Sequence, residues 1–160
     1  VPLMRPDELA QDHVWSRDAL KHAVLASEDH YGVTYDYVAE LPCVAPLRTS
    51  EHIVEAMDKL TATRADSVTS LTSVQDKHPV RMTTEFPEGE GSRRQDLEPC
   101  YIRNGAIFAM TRECIVDWFS RHGKDCRPYL MPENCSVNID TLMDFRLAEI
   151  LLEERNASQN

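Results

Sequence analysis

The chain has 160 residues, 42% of them apolar and 28% charged, enough for one domain with a real core. Its 27 acidic against 17 basic residues give a formal charge of −10, which argues against a nucleic-acid binder because phosphate-backbone contact needs clustered Lys and Arg. A small anionic ligand is a different matter, since a few placed arginines can hold one.

Taken in order, Pro6–Ala10 reads as one helical turn. Ser16 is a suitable N-cap with Asp18 in the first turn, and Ala19, Leu20, Ala23, Val24 and Ala26 mark a helix to about Asp29. Tyr35–Leu41 reads as a buried strand, and Pro42 and Pro46 then force an irregular segment. Thr49 or Ser50 caps a second helix whose buried face is Ile53, Ala56, Met57 and Leu60. Ser67–Thr72 follows as a strand. Helix, strand, helix, strand with short connections predicts parallel α/β layering.

The pattern then changes. Val80–Phe86 and Tyr101–Met110 read as two strands around the Gly-rich, charged loop Glu88–Ser92, an inserted antiparallel arm at about 78–108. Asn104-Gly105 inside the second strand marks either a close backbone approach or a hairpin turn. Thr111 caps a further helix carrying Ile115, Val116, Trp118 and Phe119, and Pro128–Met131 is a short edge strand or loop. Ser136–Thr141 reads as a short strand, with Val137 and Ile139 alternating with small polar residues. Thr141 and Asp144 have capping-box spacing, and Leu142, Phe145, Ala148, Leu151 and Leu152 form an apolar stripe to about Arg155.

Several residues could carry chemistry. Asp140 falls between a strand end and a helix start, the edge where α/β sheets bind ligands. It either holds Mg²⁺ against a phosphate or merely helps to cap the helix. Arg48 either binds an anion at a helix N-terminus or anchors its loop through backbone carbonyls. Arg81, Arg93, Arg94 and Arg103 in the arm either grip an acidic substrate or form a solvated face beside Glu85, Glu88 and Glu90. The six histidines (13, 22, 30, 52, 78, 122) have no metal-pair spacing and read as surface or satisfied residues. The five cysteines are scattered without CxxC or Cys/His ligand spacing, so a reducing, cytoplasmic setting is expected and zinc is not. No apolar run has membrane length.

Five segments together resemble the acylneuraminate cytidylyltransferase family, which includes CMP–sialic acid synthetases. They are Arg5-Pro6-x-x-Leu9-Ala10-x-Asp12, Ala45-Pro46-Leu47-Arg48-Thr49, Arg94-Gln95, Asn104-Gly105-Ala106-Ile107-Phe108 and Ile139-Asp140-Thr141, in the family's order and spread over nearly the whole chain. The resemblance implies a doubly wound, mostly parallel α/β sheet, a Rossmann-like nucleotidyltransferase domain over 1–160 with a dimerisation arm. It implies cytidylyl transfer from CTP to the anomeric hydroxyl of an acidic nine-carbon sugar, with Mg²⁺ and release of pyrophosphate, by a homodimer. Arg5 and Ser16 then match positions that contact cytidine. Arg81, Asn104 and Phe108 match the sugar pocket, Arg94 and Gln95 the arm's Arg-Gln pair, and Asp140 a metal-binding aspartate.

The sequence departs from that pattern in places. Asn138 stands where the family often has a second aspartate, and Pro42-Cys43-Val44-Ala45 where Gln-Pro-Thr-Ser is common. Phe108 replaces a tyrosine. The family's opening strand and basic, Gly-containing phosphate loop are not in the chain, which begins at Val1. It is therefore expected to be a partial, N-terminally truncated domain with little activity alone. The alternative is a non-catalytic dimerising or sugar-binding remnant of the same fold.

Overall fold

The computed structural model describes residues 3–74 and 97–158. Helix α1 (Ser16–Tyr31) leads to strand β1 (Tyr37–Glu40), then α2 (Ser50–Thr63) and β2 (Ser67–Ser73). Strand β3 (Tyr101–Thr111) is followed by the short α3 (Arg112–Val116), β4 (Cys126–Leu130) and α4 (Leu142–Ala157). The sheet order is β1-β3-β2-β4.

The sheet is mixed, not mostly parallel. β3 runs antiparallel to both β1 and β2, and among the described residues only the β2–β4 pairing is parallel. The expected layering survives in direction: β1, β2 and β4 all run the same way. β3 lies between β1 and β2, so those two strands share no ladder. The Tyr101–Phe108 stretch, read from sequence as part of the arm, belongs to this central strand; residues 78–96 of the expected arm, Val80–Phe86 and Glu88–Ser92 among them, lie outside the described residues.

Helices cover both faces. On β3, Ile107 and Ala109 pack with Ala56 and Leu60 of α2, whereas Phe108 and Met110 pack with Val24 of α1 and Cys114 and Ile115 of α3. Alternate residues of a strand face opposite ways, so these are the sheet's two sides. β1 is not the buried strand expected; it is an edge, exposed at Tyr37 and half-buried at Val38.

Caps follow the sequence closely. Thr49 and Thr141 form capping boxes with His52 and Asp144, and Thr111 accepts from the Cys114 N–H. Ser16 is an exception: it opens α1 without capping it, and its hydroxyl accepts instead from Arg121. Neither Trp118 nor Phe119 extends α3, which ends at Val116; Phe119 lies beyond it with φ 50°. The apolar stripe of α4 is only partly buried, with Ala148 enclosed and Leu142 and Phe145 exposed.

The Asn104-Gly105 ambiguity resolves as a bulge within one continuous strand. Thr69 pairs with Phe108 and Leu71 with Arg103, so residues 104–107 all stand opposite Ser70. Gly105 has φ 69°, a conformation that glycine adopts without steric cost. The buried Asn104 amide satisfies the interrupted ladder. Its Oδ1 accepts from Ser70 Oγ (2.6 Å) and the Ala106 N–H (3.2 Å). Its Nδ2 donates to Ser136 Oγ (2.9 Å) and Met131 Sδ (3.4 Å). Ser70 Oγ also accepts from the Ile107 N–H at 2.8 Å. Replacing Asn104 with Leu would leave several buried groups unpaired, each costing about 1–3 kcal/mol. The expected result is a clearly lowered urea midpoint with an unchanged slope.

Candidate active site

The carboxyl ends of β1, β2 and β4 lie along one edge of the sheet, because the three strands share a direction. In open α/β sheets this is the ligand-binding edge. The chain leaving β4 crosses it as a strap. Ser136 is held by Asn104, and the Ile139 N–H donates to Val44 O at 2.8 Å. The short strand expected at Ser136–Thr141 is absent; side-chain bonds, the Ile139–Val44 bond and a turn bond from the Ser136 N–H to Glu133 O fix the segment.

Asp140 is exposed on this strap, immediately before α4. Asn138 Nδ2 donates to Asp140 Oδ2 at 2.7 Å. The Asn138 oxygen faces β3, and a Cβ built on Gly105 would stand 3.1 Å from it. Glycine at 105 therefore leaves room for the strap. Among the described residues no cluster of three or more His, Cys, Asp or Glu side chains could hold a metal. A lone exposed carboxylate is nonetheless the donor set Mg²⁺ uses when phosphate and water supply the rest. Turning the Asn138 amide over would put its oxygen beside Asp140, an arrangement that a bound cation would favour.

Arg48 takes the anchoring role. Its Nη1 donates to Pro42 O (2.5 Å) and Ala45 O (2.9 Å), and its Nη2 to Leu41 O (3.2 Å). The guanidinium thus replaces the ladder that Pro42 and Pro46 interrupt.

A second group of polar residues gathers on the α1/α3 side of the sheet. Thr69 and Leu71 share a face of β2, so their direct partners Phe108 and Arg103 share it too. Without the bulge, positions 103 and 108 would point to opposite sides. The loop after α3 brings Arg121 and His122 over this face. The Arg121 guanidinium lies 4.1 Å from the Phe108 ring centre. It pairs with Glu40 at 2.8 Å and donates to Ser16 Oγ at 3.1 Å. Two cavities meet at His122: one of 250 Å³ lined by Thr69, Arg103, Cys126 and Arg127, and one of 230 Å³ lined by Trp15, Ser16, Arg17 and Arg121.

His122 Nε2 lies 3.3 Å from Arg103 Nη1. Arginine only donates, so Nε2 accepts and the ring proton sits on Nδ1, facing Thr69 Oγ1 at 3.4 Å. His122 is thus neutral. Burial, then the Arg103 and Arg121 charges, hold its pKa below the usual value.

The Gly123 turn fixes this loop. Asp66 Oδ2 accepts from the Lys124 and Asp125 N–H groups at 2.7 and 2.8 Å. A Cβ on Gly123, whose φ is +62°, would fall 2.3 Å from Asp66 Cβ.

The structure thus brings Ser16 and Phe108 together through Arg121, and Asn104 and Asn138 together around Gly105. Asn104 spends its whole amide on internal bonds. Arg5 is exposed just ahead of the turn Asp7–Leu9. Arg81, Arg94 and Gln95 lie outside the described residues. From sequence, Arg121 has no assigned role and His122 reads as a surface or satisfied residue; adjacent basic residues before a glycine, in an acidic chain, are the available signal.

No family model matches the chain. It is 36% identical over 152 residues to an N-acylneuraminate cytidylyltransferase of Streptococcus agalactiae, covering 89% of this chain and 35% of that protein. The chain is a homologue of the N-acylneuraminate cytidylyltransferases. It is also 27% identical over 165 residues to a CMP-N,N'-diacetyllegionaminic acid synthase of Campylobacter jejuni, covering 96% of this chain and 68% of the relative. A post-translational flagellin modification protein B of Campylobacter coli is 26% identical over 163 residues, with 95% and 68% covered. The chain thus spans about a third of the length of the streptococcal relative.

Two outcomes follow from the loop geometry. Gly123→Ala should destabilise the fold by about 1–3 kcal/mol, from the left-handed backbone and the Asp66 overlap together, as read by thermal or urea unfolding. The unfolded chain protonates His122 near the ordinary pKa of about 6.5, above the folded value, so the stability gained from the neutral ring is lost as pH falls below that point. His122→Gln should flatten the stability curve in this window, and proton NMR should place the wild-type His122 titration below 6.5.

Proposed function

We propose that the protein containing this chain transfers a cytidylyl group from CTP to the anomeric hydroxyl of an acidic nonulosonic sugar, forming a CMP-sugar and pyrophosphate. The 36% identity to an enzyme named N-acylneuraminate cytidylyltransferase carries the reading. The exposed Asp140 at the sheet's carboxyl edge supports it on independent grounds.

Displacement at the α-phosphorus depends mostly on positioning and on neutralising charge. Asp140 is the residue to hold Mg²⁺, with Asn138 as a weaker neighbour. When bound, the cation would neutralise phosphate oxygens and the departing pyrophosphate. Ser16 and Arg5 are assigned to the cytidine, and Asn104, Phe108 and Arg81 to the sugar pocket. Because the Asn104 amide is committed internally, its contribution is to shape the pocket wall beneath the strap. Arg94 and Gln95 belong to the arm, which would reach the site of a second copy in a homodimer. Five free cysteines support a cytoplasmic setting, and burial pushes the Cys114 thiol up to about 11, so it stays protonated. Among the described residues no helix is long and apolar enough to cross a membrane.

The test is CMP-sugar formation by the full-length protein from CTP with sialic, legionaminic and pseudaminic acids in turn. Wild-type turnover with at least one acid is expected. Asp140→Ala should reduce the rate by about a hundredfold or more, as expected when a group stabilising transition-state charge is removed. An unaffected rate would remove Asp140 as the metal ligand. Arg94→Ala should raise the KM for the sugar more than that for CTP.

A further inference from the structure

Arg103, His122, Thr69 and Cys126 form a line of polar groups whose direction is fixed from one end. Arginine has donors and no acceptor, so Arg103 Nη1 donates to His122 Nε2 at 3.3 Å. The ring proton is then on Nδ1, which faces Thr69 Oγ1 at 3.4 Å. A hydroxyl that accepts there turns its own hydrogen outward, and Cys126 Sγ lies 3.5 Å from Thr69 Oγ1. The same Nδ1 stands 3.8 Å from that sulfur. Every bond in the chain therefore points toward the sulfur, and hydrogen bonds aligned in this way polarise one another. We propose that Cys126 is a site of reversible modification by small disulfides, its sulfur activated by the Arg103–His122–Thr69 chain. The inference goes beyond cytidylyl transfer and does not depend on it.

Thiol–disulfide exchange needs an accessible sulfur, a donor to meet its negative charge and room for the incoming group. Cys126 is exposed, on the sheet's outer strand β4. The chain supplies the donor. The room is the 250 Å³ cavity beside it, whose lining also includes the apolar side chains of Leu71 and Pro128. In the step, the Cys126 thiolate attacks one sulfur of the disulfide, and a new S–S bond forms as the old one breaks. The proton that Cys126 gives up to solvent is regained by the departing thiolate. His122 is not the base, because Nδ1 already carries a proton and Arg103 occupies Nε2. Nor does neighbouring charge mark the site, since Arg127 is answered by Asp125 at 2.6 Å.

Two other cysteines set the contrast. Cys114 is buried, its sulfur donates to Ser120 O, and burial pushes its thiol up to about 11. It is therefore a poor resolving partner, and the adduct on Cys126 persists until an external thiol removes it. Cys43 is exposed, but among the described residues no hydrogen bond reaches its sulfur. Exposure without the donor chain makes it an internal control.

The experiment treats the full-length protein with hydroxyethyl disulfide, a small neutral probe, and follows the adducts by peptide mass spectrometry. Cys126 should be modified at least about tenfold faster than Cys43, and dithiothreitol should reverse the adduct. Arg103→Leu, at an exposed position, lets the ring proton move to Nε2, so that Thr69 donates to Nδ1 and no longer to sulfur. It should slow Cys126 by about tenfold, the loss expected when a hydrogen bond to a charged acceptor is removed, with Cys43 unchanged. Thr69→Val, which keeps the shape of the side chain, should slow Cys126 as well. In ¹⁵N NMR spectra of the wild type, the His122 ring proton should be on Nδ1.

Equal rates at Cys126 and Cys43 would overturn the proposal. So would a fast Cys126 that neither substitution slows, because the chain would then not be what activates it. A wild-type His122 protonated on Nε2 would overturn it too, since the direction of the chain would be reversed.

Discussion

One side-chain amide holds the centre of the molecule together. Asn104 fills the gap that four residues of β3 open opposite Ser70, and it does so with both donors and both acceptor positions engaged. A buried ladder interruption without such a partner would leave backbone groups desolvated and unpaired. The bulge can exist because this amide closes it. From the bulge follow the shared face of Arg103 and Phe108, the glycine under Asn138 and the anchoring of the strap at Ser136. The amide therefore joins the core of the sheet to the loop that presents Asp140.

The loop chemistry around this centre is economical. Where prolines interrupt backbone pairing after β1, Arg48 gathers the free carbonyls. Where the chain turns after α3, one carboxylate oxygen of Asp66 collects two consecutive N–H groups. At the end of α1, Glu28 receives the Arg112 fork at 2.6 and 2.9 Å and the Tyr35 N–H at 3.1 Å, which ties the helix to α3 and to the approach to β1. The arginine holds the Glu28 carboxyl below its usual range. In each case one charged group with several bonding sites replaces regular secondary structure.

Local features were legible in the sequence and long-range ones were not. Thr49, Thr111 and Thr141 cap their helices because a cap needs only three or four neighbouring residues. Asn104-Gly105 could not be decided, since the residue that makes it a bulge, Ser70, is 34 positions away. The exposure of β1 and of the α4 stripe depends on what other segments cover them, which periodicity does not encode. Ser16 looked like a cap until Arg121, distant in sequence, took its hydroxyl. The direction of β3 was also hidden: a strand pattern does not say which way the strand runs. Asp140 stands just ahead of α4, as its neighbours in the sequence suggest, although the strand expected to deliver it does not form.

The position of β3 between β1 and β2 has a consequence for how the polypeptide acquires its shape. The two earlier strands emerge first from the ribosome, yet neither hydrogen-bonds the other. Both must wait for residues 101–111, and the last pairing, with β4, completes only at residue 130. Loop closure over such separations makes assembly slow and of high contact order. During translation, α1 and α2 can coil early, but the parts of their apolar faces that rest on β3 stay uncovered by it until that strand arrives.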